Sequence, residues 1–180
     1  MKSISFRSEF VPKILNGKKT QTRRLVKPQP GSLPEGAYCD PYRGENKPFT
    51  HFTFWTKENK MCLPIGNVKI KGKETCHWNP PFGVPGDRLV IKQAPHITLE
   101  ITNVRVERVS EISEEDARKE GVQKSWAYEM DTPDGIVSYS TFRAGFKGLW
   151  NSLYPGSWDR DDWVWVYEFK LLTREGCKYE

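Results

Sequence analysis

The clearest alternation of apolar and polar positions lies near the C-terminus, in Trp163-Val164-Trp165-Val166-Tyr167-Glu168-Phe169. A two-residue period puts Trp163, Trp165, Tyr167 and Phe169 on one face and Val164, Val166 and Glu168 on the other. Near-total apolarity predicts a central strand covered on both sides, whose tryptophans belong to the core. Residues 97–109 alternate as Ile97, Leu99, Ile101 and then Val104, Val106, Val109. The parity break near Asn103 predicts a bulge of the kind small curved sheets need. Residues 88–93 form a shorter strand with Leu89 and Ile91 opposite Arg88, Val90 and Lys92, entered through the Pro- and Gly-rich turn at 79–87. Short strands are also expected at 4–6 and 20–26.

Helical spacing gives three further elements. Ser8 reads as the cap of a helix over residues 9–16, with Phe10/Ile14 and Val11/Leu15 four apart, Pro12 in the first turn and Asn16-Gly17 as the stop. Ser113-Glu114-Glu115-Asp116 opens a helix that runs to about Glu120 and is closed by Gly121. Phe142, Phe146, Leu149, Trp150 and Leu153 mark an amphipathic segment over residues 139–153, as one helix or as two broken at Gly145 or Gly148. Pro133-Asp134-Gly135 is the tip of a turn over 130–135, and residues 170–180 read as a tail. Repeated Pro and Gly make residues 29–79 an irregular insertion. Within it, Phe49, Phe52, Phe54 and Trp55 fit a strand or flap over an open barrel end, and residues 68–70 a short strand. Short strands with interspersed helices and no βαβ repeat predict an α+β fold, a small mixed β-barrel with flanking short helices.

A chain of 180 residues suits one domain, here residues 1–175 with a tail at 176–180. No apolar run is long enough for a bilayer, and the opening residues lack the apolar core of a signal peptide, so the cytoplasm is the expected location and no membrane partner is expected. The net charge of +5 is unevenly spread: Lys2, Arg7, Lys13, Lys18, Lys19, Arg23, Arg24 and Lys27 face only Glu9 in the first thirty residues. That excess suits a polyanion. Cys39, Cys62, Cys76 and Cys177, with His77, contain no CxxC pair. Convergence of the first three with His77 on a metal is possible through long loops, but reduced thiols are the simpler account, and neither a metal nor a cofactor is expected.

Two features carry candidate chemistry. Gly17-Lys18-Lys19-Thr20-Gln21-Thr22-Arg23-Arg24 packs four cations, two hydroxyls and an amide into eight residues after a helix end. Glu120 places a carboxylate at the C-terminal end of a helix, where negative charge is unfavourable.

The run from Ile14 through Gly17–Arg24 to Lys27-Pro28, the Pro85-Gly86-Asp87-Arg88-Leu89 turn, the helix 112–121 and the closing Trp165-Val166-Tyr167-Glu168-Phe169 together resemble the ASCH domain family, in its longer phage and prophage form. The resemblance covers most of the chain outside 29–79. It implies a PUA-like β-barrel and a role with RNA or a modified nucleoside or nucleotide. A smaller bacterial member removes the acetyl group from N4-acetylcytidine with a lysine, a threonine and a glutamate, which fall on Lys19, Thr22 and Glu120. Lys18, Arg23, Arg24, Arg88 and Lys92 would then hold phosphate or base edges. The chain departs from longer relatives at Val90, Lys92 and Gln93, where tryptophan, arginine and glutamate are common. The leading expectation is RNA or modified-nucleotide binding, and the alternative is an amidohydrolase acting on N4-acetylcytidine or a related N-acylated nucleoside. Lys19 and Thr22 have opposite strand parity, so an enzyme requires Lys19 in the turn before the strand. It also requires Lys19, Thr22 and Glu120 to converge in a nucleoside-sized pocket, whereas a binding module requires an open basic groove.

Overall fold

The computed structural model describes residues 1–27, 29, 38–42, 51–55, 79–132 and 135–172. In chain order the strands are β1 (Lys2–Ile4), β2 (Gln21–Leu25), β3 (Tyr38–Tyr42), β4 (His51–Trp55), β5 (Arg88–Ile91), β6 (Ala94–Arg108), β7 (Ser125–Thr132), β8 (Gly135–Thr141) and β9 (Trp163–Leu172). The α-helices are α1 (Val11–Leu15), α2 (Glu114–Lys119) and α3 (Phe142–Leu153). β1, β5, β6, β9 and β2 pair in that order, with β1 parallel to β5 and every other pair antiparallel. The fold is a small α+β domain whose mixed sheet curls but stays partly open, with short helices flanking it. Among the described residues, β3–β4 and β7–β8 form separate two-stranded sheets.

β9 is the strand that alternation anticipates. It lies between β6 and β2 and separates two cores. Trp163, Trp165, Tyr167 and Phe169 pack with Ile4, Phe10, Ile14, Leu89 and Leu99 on one side. Val164 and Val166 pack with Ala117, Phe146 and Trp150 on the other. Each fully buried aliphatic or aromatic side chain of this kind contributes roughly 1.5–3 kcal/mol relative to exposure. The register of β6 against β9 shifts between Ile101 and Asn103, which is the expected bulge.

The first helix differs from its sequence expectation. Residues Ser8–Phe10 form a 3-10 turn, the α-helix begins at Val11 with Pro12 in its first turn, and no side chain caps either segment. Pro12 has no N–H and clashes with a preceding helical turn, so a single helix from residue 9 is disfavoured. α3 runs unbroken through Gly145 and Gly148, and Thr141 caps it by accepting from the Ala144 N–H at 3.0 Å. Residues 139–141 belong to β8, and β9 continues to Leu172, into the expected tail. Of the insertion, the hairpin β3–β4 is described; the strand expected at 68–70 lies outside the described residues, as do Cys62, Cys76, His77 and Cys177. Among the described residues no helix is long and apolar enough to cross a membrane, and no group of His, Cys, Asp and Glu is placed to hold a metal ion.

Candidate active site

Three local devices bring the candidate residues together. β2 starts only at Gln21, so Lys19 sits in the turn before it, as the parity argument requires. The turn is tied at both ends: Lys19 N–H donates to Lys13 O at 2.9 Å and Thr20 N–H to Lys119 O at 3.0 Å. α2 is capped by Ser113, which accepts from the Asp116 N–H at 3.0 Å, and ends at Gly121 with φ 78°. A Cβ on Gly121 would lie 2.9 Å from Lys19 Cβ. Glycine there permits both the left-handed turn and the close approach of α2 to Lys19.

Glu120, at the far end of α2, is 3% exposed, and so is Lys19. Lys19 Nζ donates to Glu120 Oε2 at 2.9 Å, to Glu120 O at 2.7 Å and to Gln21 O at 2.9 Å, which occupies all three ammonium donors. Nζ also lies 4.9 Å from the Phe10 ring centroid and 5.7 Å from that of Phe6. Burial pushes the Lys19 ammonium below its ordinary value of 10.5, and Glu120 offsets only part of that shift. The unfavourable position of Glu120 at a helix C-terminus is balanced by two cations, because Arg23 Nη1 donates to its Oε1 at 3.2 Å.

Arg23 joins this pair to a larger network. Its guanidinium also bonds Glu107, and Nη2 reaches Asp116 Oδ2 at 3.2 Å. Arg105 pairs in turn with Glu107, Asp116 and Glu168. With its amide oriented to suit its neighbours, Gln21 donates to Asp116 Oδ1 at 3.1 Å and accepts from Arg105 at 2.9 Å. Burial favours the neutral form of Asp116, but Arg105, Gln21 and Arg23 more than offset that and hold its carboxyl below the usual 3.8. The Arg23 side chain has no exposed surface and three carboxylate partners, so it supports the site from behind and is not presented to an outside anion.

Lys19, Thr22, Arg23, Arg24 and Glu120 line one cavity of about 270 Å³, whose remaining wall is largely apolar: Phe6, Phe10, Phe146, Leu149, Trp150 and Tyr154 contribute to it. It lies along β2, the terminal strand of the sheet, between the N-terminal segment and α3. Phe169 N–H donates to Thr20 O at 2.9 Å and Val26 N–H to Trp163 O at 3.0 Å. These bonds put the even-numbered residues of β2 in hydrogen-bonded pairs with β9, so the peptide groups of Gln21 and Arg23 turn toward the open edge. Gln21 O meets Lys19 there, and the Arg23 N–H points the same way. Gln93 accepts from the Phe6 N–H at 3.2 Å and so anchors a cavity wall.

Lys18 lies outside this cavity. It lines a larger, more open groove of about 570 Å³ with Lys13, Thr20, Arg118, Lys119 and Gln123, on the other side of the Lys19 turn. Arg88 and Lys92 are exposed and line neither space. Sequence reasoning did not single out Glu107, Asp116 or Arg105 as parts of the site. The signal was faint: Arg105 and Glu107 share the polar face of a strand whose other face carries Val104 and Val106. Comparisons with protein-family models, with curated proteins and with solved structures found no match to this chain.

Proposed function

We propose that the cavity hydrolyses the amide of an N-acylated nucleoside, with N4-acetylcytidine as the reference substrate, and that the domain is an ASCH-type, PUA-like one. The observation that carries this reading is the buried Lys19–Glu120 pair beside Thr22 in a mostly apolar cavity. A volume of about 270 Å³ is below the roughly 300–1,000 Å³ of pockets for drug-sized ligands, which suits a nucleobase and part of a sugar better than a stretch of polymer.

The hydrogen bonds of Lys19 support the following course for the reaction. In the resting site Lys19 is an ammonium with every donor used, so it becomes a base by passing a proton to Glu120 Oε2, 2.9 Å away, or by losing it to solvent as pH rises. Burial makes that transfer less costly, because it penalises the charged pair relative to the neutral one. The lone pair then takes the Thr22 hydroxyl proton as Oγ1 forms a bond to the acyl carbon. The Arg23 N–H, facing the open edge, is the donor best placed for the developing oxyanion. Collapse breaks the C–N bond, and the leaving amine receives the proton from Lys19. Water, deprotonated by the same base, then cleaves the acyl-threonine to give the carboxylic acid and restores Thr22.

The test is release of cytidine and acetate from N4-acetylcytidine. Thr22→Val should abolish it while leaving the unfolding midpoint within a few degrees of wild type. Turnover unaffected by both Thr22→Val and Lys19→Met rules the assignment out.

A second reading, RNA binding, is supported by the open groove, whose lining carries Lys13, Lys18, Arg118 and Lys119 and, among the described residues, no carboxylate. It concerns a different surface and is compatible with catalysis in the cavity.

A further inference from the structure

Among the described residues, four cations but one carboxylate line the cavity: Arg7, Lys19, Arg23 and Arg24 against Glu120. Lys19 and Arg23 are neutralised by Glu120, Glu107 and Asp116. Arg24 is not. Its Nη2 donates to Ser5 O at 2.6 Å and its Nη1 more weakly to Arg23 O at 3.4 Å, and the guanidinium lies 5.6 Å from the Phe6 ring centroid. Among the described residues no carboxylate pairs with it. A guanidinium has five N–H donors in a fork that matches an oxyanion, and these two bonds leave most of them unused. Arg7 stands at the rim of the same cavity. It donates to Ser152 Oγ at 3.1 Å, and its contact with Glu9 is 4.0 Å long with both side chains largely exposed, an arrangement that holds a guanidinium only loosely.

We propose that Arg24 and Arg7 form a phosphate subsite at the cavity mouth, so that a nucleoside monophosphate is preferred over the corresponding neutral nucleoside. This rests on the nucleoside reading of the cavity and specifies its substrate class. A phosphate monoester carries about −1.5 to −2 charges at neutral pH, which matches two guanidinium groups of which Arg7 is only loosely paired and Arg24 has no carboxylate partner among the described residues. The backbone carbonyls and the Phe6 ring fix Arg24, so little side-chain freedom is lost when the anion arrives.

Calorimetric titration with cytidine, cytidine 5′-monophosphate and the dinucleotide CpC, none of which carries a cleavable amide, separates this inference from hydrolysis itself. Wild-type protein should bind the monophosphate about 10- to 100-fold more tightly than cytidine, as expected for charge-assisted hydrogen bonds. It should favour the monophosphate over CpC as well. Arg24→Gln should bring the monophosphate-to-cytidine ratio close to one, and Arg7→Gln should lower it less. Because the readout is a ratio within each variant, a general loss of affinity does not imitate the effect. Inorganic phosphate, followed by the Arg24 Nε–H resonance, tests the subsite without any nucleoside. Equal affinities for cytidine and its monophosphate, or phosphate that perturbs only Lys18 and Arg118, overturn the proposal. Failure of N4-acetylcytidine turnover alone contradicts the hydrolase reading and leaves the subsite standing.

Discussion

The two concave surfaces flanking the Lys19 turn use charge in opposite ways. In the cavity, Lys19, Arg23 and Glu120 are buried, each held by partners at fixed distances. In the groove, Lys18 and Arg118 are exposed, Lys13 donates to Gly121 O at 2.7 Å, and Lys119 pairs with Glu115 on its own helix. Water screens the groove, so its cations act as a diffuse positive field whose effect falls with salt. In the cavity burial takes Lys19 out of water, so there a lysine acquires a lowered proton affinity and a fixed geometry. The contrast teaches that one basic sequence run can present buried, paired cations on one side and exposed cations on the other, depending on which side chains the turn buries.

The strongest way to break the contrast is to strip the cavity of its carboxylate. Glu120→Ala leaves Lys19 without its paired charge and Arg23 with one partner fewer, and loss of one member of a buried pair costs about 3–5 kcal/mol. In a chain of this size each kcal/mol lowers Tm by roughly 2–4 °C, so thermal unfolding should show a drop of many degrees. An unchanged Tm would mean that the pair is not held as described.

A smaller effect is expected at Gly121. Alanine there must adopt φ 78° and place its Cβ 2.9 Å from that of Lys19. We expect a loss of about 1–3 kcal/mol by denaturant titration, together with reduced turnover as Lys19 is displaced.

The pH dependence sharpens the comparison next. Burial lowers the proton affinity of Lys19, so kcat/KM should rise with pH and level off below the 10.5 of an ordinary lysine. Glu120 opposes that shift, so Glu120→Gln should move the midpoint lower still. The sign for stability is the same. Between the folded value of Lys19 and 10.5 the unfolded chain holds more proton, so this group favours the fold increasingly as pH rises through that window. Asp116 acts at the other end: its stabilising contribution is complete above 3.8 and is lost as pH falls through its depressed folded value.

The smallest effect belongs to the groove. Lys18→Ala with Arg118→Ala should change stability by less than about 0.5 kcal/mol per site and leave turnover of free N4-acetylcytidine unaltered. Filter-binding with single-stranded RNA should nevertheless show weaker affinity and a shallower salt dependence than wild type. Unchanged RNA affinity would remove the second reading.

Much of this arrangement was legible in the sequence where a local rule acted alone. The period of β9, the bulge in β6, the Ser113 cap and the placement of Lys19 before β2 all follow from neighbours within a few residues. Glu120 was legible for the opposite reason, since its charge contradicted its helix position. The β7–β8 hairpin carried a signal, Trp126, Tyr128 and Met130 alternating with Ala127, Glu129 and Asp131, which reading 130–135 only as a turn does not use. A register shift between Trp126 and Tyr128 weakens that period. The rest was not legible because it depends on pairing between distant segments. Asp116 looks like an ordinary first-turn helix carboxylate, and only the docking of α2 on β2 makes it a partner of Arg23 and Arg105. Phe146 and Trp150 read as core, and they are core, yet they also line the cavity.

The central claim is that Lys19 and Thr22 act as one unit inside a single cavity. A double-mutant cycle on kcat/KM for cytidine release from N4-acetylcytidine, using Lys19→Met, Thr22→Val and the double variant, tests it most directly. Groups that act together are strongly non-additive, so each single variant should lose at least about 10²-fold and the double variant little more than the worse single. Losses that multiply in the double variant, or a single variant with wild-type turnover, would contradict the account.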